Sequence, residues 1–210
     1  MATHNSSSRQ VPRRPPGRKR DKSKERALLD AALDVYSEVG WASFNFEGVA
    51  RRSGVGKPAI YLRWATKEEL LLDAFGILDL PHVDTDTGSL EGDLMELGLA
   101  LLDWWMSTGA RAWQRLQLDS SVFAELSDTV LREHMRRNVR AAEAIVDRAL
   151  LRGDIDDRAG GIIVLEMVNG AIFTRIFDTP PDRRDAFREK GAAYVRRLAM
   201  MAATAATIRD

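Results

Sequence analysis

Four side chains suited to hydrogen bonding with nucleic acid lie in one short stretch of the chain: Lys57, Tyr61, Arg63 and Lys67. An ammonium or a phenol donates to phosphate oxygens, whereas a guanidinium can pair with guanine O6 and N7 in the major groove. The chemistry of these side chains is thus binding by hydrogen bonds and charge, without a covalent step. The stretch therefore predicts a DNA-binding surface, provided that the surrounding elements present these side chains on the outside.

No catalytic or metal-binding set of residues competes with this interpretation. The chain has no cysteine, and its three histidines, His4, His82 and His134, are far apart in sequence. It contains no glycine-rich phosphate loop after a strand and no nucleophile elbow. The aspartates at 154, 156 and 157 lack the glycine and terminal glutamate of a calcium loop and indicate a helix break instead. We therefore expect a protein that is not an enzyme and that uses no metal or cofactor.

The local sequence predicts two short helices joined by a tight turn. Residues 46–53 form an amphipathic helix with Asn45 as its N-cap, and Gly-Val-Gly at 54–56 forms the turn. The second helix begins at Lys57, and Pro58 falls in its first turn, where the missing N–H breaks no internal bond. In a helix-turn-helix, the front of the second helix meets base edges in the DNA major groove.

The flanking sequence predicts a helix on either side. Apolar residues recur at helical spacing between residues 26 and 41, and Gly40 ends this helix. Thr66 followed by Glu69 is a capping box that starts a further helix. Trp64 is interpreted as a core residue between these helices in preference to a DNA contact.

These elements closely resemble the N-terminal DNA-binding domain of the tetracycline-repressor (TetR) family of bacterial transcription regulators. The resemblance rests on ERALLDAALDVYSEVGW at 25–41 and FEGVARRSGVGKPAIYLRWATKEELLLDAF at 46–75, about a quarter of the chain. It implies a three-helix head, a helical ligand-binding domain and dimerisation through the two C-terminal helices. It also implies that Tyr61 contacts a phosphate.

The chain departs from the family pattern where the second helix would face the bases. Family members usually have Ser-Lys-Gly-Thr where this chain has Gly-Lys-Pro-Ala at 56–59. The side chains of Ala59 and Leu62 cannot hydrogen-bond, so part of the usual polar readout is missing. Arg63 has two open interpretations, a base contact or a position on phosphate or in solvent. The predicted DNA-binding residues are Asn45, Arg51, Lys57, Ala59, Tyr61, Leu62, Arg63 and Lys67.

The formal net charge of zero conceals a division of charge. Residues 1–72 carry 14 Lys and Arg against 8 Asp and Glu, whereas residues 73–210 carry 17 against 23. Much of the basic surplus lies in residues 1–21, which prolines interrupt, and such a segment is expected to be disordered when free. The sequence supports equally an arm that follows the minor groove and a tail that adds only sequence-independent attraction.

The predicted fold class is all-α, with a helix-turn-helix DNA-binding domain at 22–72 and a helical effector-binding and dimerisation domain at 73–210. After residue 79 apolar residues keep helical spacing, and no strand-length alternating segment occurs. No run approaches the roughly 18 apolar residues of a membrane span. No signal peptide is recognisable either, so we expect a cytoplasmic protein.

The last helix carries a heptad-like apolar stripe. Its members recur at steps of four and three residues: Phe187, Gly191, Tyr194, Leu198 and Met201. Such a stripe packs against another helix at a shallow angle, and that helix can belong to the same core or to a second copy of the chain. The family resemblance favours a homodimer.

Aromatic and methionine side chains of the second domain can line an effector cavity. The predicted set is Trp104, Trp105, Trp113, Phe123, Met135, Glu166, Met167, Asn169 and Phe173. Methionine adapts to varied shapes and aromatic rings offer flat walls, which favours a small apolar or aromatic effector. A buried Glu166 beside tryptophan would also suit a lipophilic cation. A packed core is the competing interpretation of the same residues.

The sequence therefore predicts a homodimeric, ligand-responsive repressor that binds an inverted-repeat operator in double-stranded DNA and has no membrane partner. A DNA-binding dimer without small-molecule control and a helical adaptor that only dimerises are the alternatives. These hypotheses differ in one observable, which is whether a small molecule changes DNA affinity.

Overall fold

The computed structural model describes residues 22–78, 81, 86–119 and 124–207, and between 124 and 138 it describes only part of the side chains. The basic segment 1–21, Phe123 and the side chain of Met135 lie outside the described residues. Within them every regular element is helical, which confirms the all-α prediction. The elements are α1 Lys22–Ser43, α2 Phe46–Ser53, α3 Lys57–Tyr61, α4 Lys67–Gly76, α5 Leu90–Trp105, α6 Thr108–Asp119, α7 Ala124–Arg152, α8 Arg158–Phe177, a 3₁₀ turn Pro181–Arg183, and α9 Arg184–Ala205.

The first helix is kinked near its end. Gly40 has a φ of 69° and a ψ of 179°, so the regular helix breaks at this glycine, as the sequence predicts, and helical residues resume beyond it up to Ser43. The guanidinium of Arg115 on α6 occupies the space that a Cβ on Gly40 would need. The positive φ favours glycine here, whereas the arginine side chain could move aside for a Cβ.

The predicted helix starts are confirmed in the head. The Asn45 side chain accepts the N–H of Gly48 at 2.9 Å, and the Thr66 hydroxyl accepts the N–H of Glu69 at 3.2 Å. These bonds satisfy donors that the first turn of a helix leaves unpaired. Trp64 is 4% exposed and belongs to the core, as the sequence predicts.

The core of the head extends into α6. Tyr36 on α1 is fully buried and packs edge-on against Phe44 and Phe75 with ring centroids 5.9 Å apart. The same apolar cluster includes Trp113 and Leu116 of α6. The packing therefore crosses the boundary that the sequence predicts after residue 72.

A second core fills the bundle of α5, α7, α8 and α9. Its fully buried members include Leu94, Ile145, Ile172 and Val195, one from each helix. Gly191 of α9 lies directly against Leu102 of α5, because a Cβ at this position would overlap the leucine methyl. This glycine is therefore part of the close α5–α9 packing within one chain.

A buried carboxylate holds the start of α5 to the end of α7. Asp93 is fully buried, and it accepts the Thr87 N–H and hydroxyl at 2.8 Å each and the Arg152 guanidinium at 2.9 Å. Arg152 also contacts Asp86 at 2.7 Å and Asp154 at 2.9 Å. Burial alone would raise the pKa of Asp93, but the hydrogen bonds from Thr87 and Arg152 outweigh it and hold that pKa below its usual range.

The eighth helix is apolar on two sides. Its length of 20 residues and mean hydropathy of 1.5 would suit a membrane span, and it is the one helix of the described residues that meets these criteria. One side of α8 is buried in the bundle, including Val168 and Ile172. The other side leaves Ile163, Met167 and Phe177 exposed by 55%, 46% and 64%. In this fold α8 is thus a bundle helix with an uncovered apolar face.

Candidate DNA-binding interface

The predicted helix-turn-helix is formed by α2, the turn at 54–56, and α3. Gly54 ends α2 in the left-handed region with a φ of 70°, and its N–H donates to the Ala50 carbonyl at 3.0 Å. Ile60 is fully buried and anchors α3 to the head. The remaining sides of α3 consequently face outward.

The outward residues of α3 and its end are largely apolar. Leu62 is 87% exposed, Tyr61 is 60% exposed, and Ala59 is exposed between them and the start of the helix. The Tyr61 ring packs edge-on against Phe46 at 4.8 Å, which restrains the ring. These positions can reach another molecule without any unfolding of the head.

Two of the predicted cationic contacts are paired within the chain. The Lys57 ammonium lies 2.9 Å from the Glu47 carboxylate, and its hydrogen bond holds the pKa of Glu47 below its usual range. The Arg63 guanidinium lies 3.7 Å from Glu25 and 5.9 Å from the centre of the Trp64 ring. Phosphate would therefore have to replace a carboxylate as the partner of either side chain.

Lys67 and Asn45 are also engaged within the head. The Lys67 ammonium donates to the Trp41 carbonyl at 3.1 Å and lies 3.8 Å from the centre of the Trp41 ring. Besides capping α2, the Asn45 amide donates to the Ser43 carbonyl at 2.9 Å. Arg51, by contrast, is exposed on α2.

A groove of about 370 Å³ between α2 and α3 brings four of the predicted residues together. It is lined by Asn45, Phe46, Glu47, Gly48, Arg51, Lys57 and Tyr61. Two cations, a phenol and the N-terminal turn of α2 surround it, and each of these favours an anion. Glu47 is the opposing charge that the sequence interpretation did not include.

Asp119 ties the second domain to the head, and sequence reasoning missed this residue. Its carboxylate accepts the Tyr36 hydroxyl at 3.0 Å and the Trp41 N–H at 2.9 Å. Burial, and then the charge of Asp119, raise the pKa of Tyr36 above its usual range, so the phenol stays a donor at neutral pH. Because Asp119 lies 78 residues beyond Trp41, no motif in the local sequence could have predicted this contact.

The predicted effector residues separate into two groups. Trp104 and Trp113 are 8% and 7% exposed and belong to the core shared with the head. Trp105 packs against the same core but also reaches α8, where its indole N–H donates to the Asn169 side chain at 2.9 Å and its ring packs on Phe173 at 4.8 Å. The structure thus unites Trp105, Asn169 and Phe173.

The rest of that set does not join this cluster. Glu166 and Met167 are exposed on α8, so the buried carboxylate expected at Glu166 is absent from this fold. An open groove of about 640 Å³ between α1 and the α5–α6 junction includes Trp104. Among the described residues, no group of three acidic or histidine side chains could hold a metal ion.

The predicted α9 stripe faces its own chain along most of its length. Gly191 is buried against α5, and the Tyr194 hydroxyl donates to the Ala171 carbonyl of α8 at 3.3 Å. The rings of Phe187 and Tyr194 pack at 5.8 Å, and Leu198 is half-buried in the same core. Met201 is 60% exposed. The spacing of the stripe was real, but its partner is largely intramolecular.

Comparison with known proteins gives a consistent result. Residues 28–74 match the profile of the bacterial regulatory proteins of the tetR family, and residues 84–195 match that of the tetracyclin repressor-like C-terminal domain. The HTH-type transcriptional regulator AqdR from Rhodococcus erythropolis is 30% identical over 146 residues, which cover 69% of this chain and 70% of that regulator.

Two further relatives extend the similarity over most of the chain. An uncharacterised HTH-type transcriptional regulator, YdeS of Bacillus subtilis, is 24% identical over 89% of this chain and 91% of its own length. The crystal structure of a TetR-like transcriptional regulator from Rhodococcus sp. RHA1 superposes with a TM-score of 0.54 at 19% identity, covering 91% of this chain and 97% of that one. At that identity the superposition speaks to the fold alone.

Proposed function

The chain belongs to the TetR family of bacterial transcription regulators and is not an enzyme, and from this premise we propose that it is a cytoplasmic homodimeric repressor at an inverted-repeat operator. A small apolar or aromatic molecule releases it from the DNA. The observation that carries the proposal is α3, which Ile60 anchors in the head while Tyr61 and Leu62 stay outside. This is the placement that major-groove reading needs.

The uncovered face of α8 supports dimerisation. Its residues recur at steps of four and three, with the glycine half-buried and the others exposed: Ile163, Met167, Gly170, Thr174 and Phe177. Pairing with a second copy would remove these apolar groups from water and would approximate the packing of a four-helix bundle. A two-fold dimer also presents two α3 helices to half-sites separated by whole turns of DNA.

The cluster of Trp105, Asn169 and Phe173 supports an effector site between α5 and α8. Two aromatic faces and one amide offer apolar walls with a single orienting polar group. Because Glu166 is exposed, a neutral aromatic effector fits this site better than a cation. Effector binding would be transmitted through α6, whose last residue, Asp119, holds Trp41 in the head.

Footprinting on the DNA upstream of the protein's own reading frame tests the proposal. We expect a symmetric protected site, and a dimer in light scattering at micromolar concentration. Titration with a panel of neutral aromatic molecules, followed by tryptophan fluorescence and DNA affinity, tests the control by effector. An asymmetric footprint would contradict the dimeric repressor.

The runner-up function is a DNA-binding dimer without small-molecule control. The burial of Trp104 and Trp113 in a packed core favours it, since little of either ring is accessible to a ligand. It predicts the same footprint as the repressor, together with DNA affinity that no member of the panel alters.

A further inference from the structure

We propose that α3 recognises thymine through its 5-methyl group, with Leu62 and Ala59 as the reading residues. The inference rests on the proposed function, because it requires α3 to enter the major groove. It specifies the base that each half-site of the operator places opposite Leu62 and Ala59, which the proposed function does not define.

The outermost part of the reading helix is aliphatic. Leu62 directly follows α3, keeps helical backbone angles and is 87% exposed. Ala59 is exposed three residues before it, so both side chains lie on one side of the turn that ends α3. A leucine this exposed contributes little to the folded state, because its side chain leaves water only when another molecule covers it. The position is therefore available for an intermolecular contact at no cost to the head.

The charged groups on either side of this patch are held elsewhere. Lys57 pairs with Glu47 at 2.9 Å, and Arg63 lies 3.7 Å from Glu25. Both cations therefore already have a carboxylate partner within the chain. Ala59 and Leu62 are exposed aliphatic side chains with no such partner to exchange.

Thymine is the natural base with an apolar group on its major-groove edge. Its C5 methyl lies beside the O4 acceptor, whereas guanine, adenine and cytosine present hydrogen-bonding atoms there. Leucine covering a polar edge would strip water from that edge and return no hydrogen bond. When the same side chain covers a methyl group, apolar surface is buried. The contact therefore favours thymine and also disfavours the other three bases.

The groove beside α3 supports DNA as the occupant of this patch. Arg51 and Tyr61 line the 370 Å³ groove beside α3, and each can donate to a phosphate. Anion-binding groups next to an aliphatic patch match the phosphate backbone beside a thymine methyl. A second copy of the chain would offer apolar surface without the phosphates.

The test uses the full chain and duplexes selected for binding from a random library. In the best site each thymine is replaced singly by deoxyuridine, which removes the methyl group and keeps the base pair. Burial of one methyl corresponds to about a three- to fivefold change in affinity. We expect a loss of this size at one or two thymines per half-site and none at thymines outside the footprint.

Leu62→Ala assigns the effect to this residue. The variant should bind more weakly and lose the difference between thymine and deoxyuridine at one position. Leu151→Ala is the matched control, since Leu151 is 88% exposed on α7 and far in sequence from α3. It should keep both the affinity and the methyl dependence of the wild type.

The possible results distinguish a failure of thymine recognition from a failure of the proposed repressor function. Selective binding with no thymine whose methyl group matters, or a methyl effect that survives both Leu62→Ala and Ala59→Gly, overturns thymine reading and leaves the repressor standing. Failure to select any sequence from the library overturns the proposed function itself. Self-association that Leu62→Ala abolishes, with no methyl effect on DNA, would assign the patch to a second copy of the chain instead.

Discussion

The Asp119 carboxylate accepts the backbone N–H of Trp41 at 2.9 Å and thereby joins the end of α6 to the kinked end of α1. On its other side Trp41 accepts the Lys67 ammonium through its carbonyl at 3.1 Å. Lys67 is the first residue of α4. The backbone of Trp41 is thus held both by α6 of the second domain and by α4, the helix that follows α3.

Removal of this acceptor should loosen the junction. Asp119→Ala removes the carboxylate that accepts from the Tyr36 hydroxyl and the Trp41 N–H, and we expect the free energy of unfolding to fall by about 1–3 kcal/mol. Urea denaturation measures the loss, and amide hydrogen exchange at Trp41 should accelerate. Asp128→Ala, at an exposed ion pair with Arg132, should change stability by no more than about 0.5 kcal/mol. Unchanged exchange at Trp41 would show that Asp119 does not order the junction.

The buried Asp93 should make stability depend on acid pH. Its pKa is depressed in the folded chain, so its contribution is complete above the unfolded value of about 4 and is lost as the pH falls through the folded value. Asp93→Asn should therefore lower the free energy of unfolding by about 2–4 kcal/mol at neutral pH. The difference from wild type should shrink below about pH 4.

Asp86→Asn is the control for that measurement. Asp86 pairs with the same arginine at 2.7 Å, but its side chain is 56% exposed. An exposed pair contributes about 0–1 kcal/mol. Equal losses for the Asp86 and Asp93 variants would contradict a special role for the buried carboxylate.

Neutralising Glu47 should strengthen DNA binding. The carboxylate occupies Lys57 at 2.9 Å and adds a negative charge beside the reading helix. In Glu47→Gln the ammonium becomes available to phosphate, so affinity for any duplex should rise and the salt dependence should steepen by about one counterion. Fluorescence anisotropy at several salt concentrations provides both numbers, with Glu91→Gln on α5 as the charge-matched control. A decrease in affinity would mean that Glu47 orients Lys57 for binding.

A charge on the outer face of α8 should dissociate the dimer. Met167 is 46% exposed in one chain, so Met167→Glu should preserve the helical content and the melting behaviour of the protomer while reducing its mass in light scattering. Leu151→Glu, on an exposed site of α7, should leave the dimer intact. Gly191→Glu should instead unfold the protomer, because its side chain would enter α5 at Leu102. A dimer that tolerates Met167→Glu would exclude α8 as its interface.

Local signals in the sequence predicted the head well. Asn45, Thr66 and Glu69 act on donors within four residues, so their caps could be recognised without any tertiary information. Trp64 was assigned to the core because it lies between the second helix of the motif and the predicted start of the next helix, where a large ring can pack between the two. The break at Gly40 was predicted from its residue type, whereas the continuation of helical residues to Ser43 was not.

The second domain was harder to predict, because the spacing of apolar residues on a helix does not reveal which other helix covers them. The stripe containing Gly191 and Tyr194 has the spacing of an interface, yet α5 and α8 of the same chain cover it. Likewise, of three tryptophans close in sequence, Trp104 and Trp113 are buried in the first core, whereas Trp105 is half-buried and contacts Asn169 of α8. Spacing identifies a buried face, whereas the identity of the covering element depends on the whole topology.

Because one apolar cluster includes residues of the head and of α6, recombination between related regulators can exchange the head only together with α6. A chimaera joined in the loop after α4 would separate Tyr36 from Trp113 and Leu116, leaving the inner side of α1 open to water. A grafted operator specificity would therefore survive only if α6 travelled with the head, or if the recipient supplied an acceptor like Asp119 for Tyr36 and Trp41. Exchange confined to the outward residues of α3 avoids this constraint, so such regulators can acquire new binding sites by point substitution more readily than by shuffling whole heads.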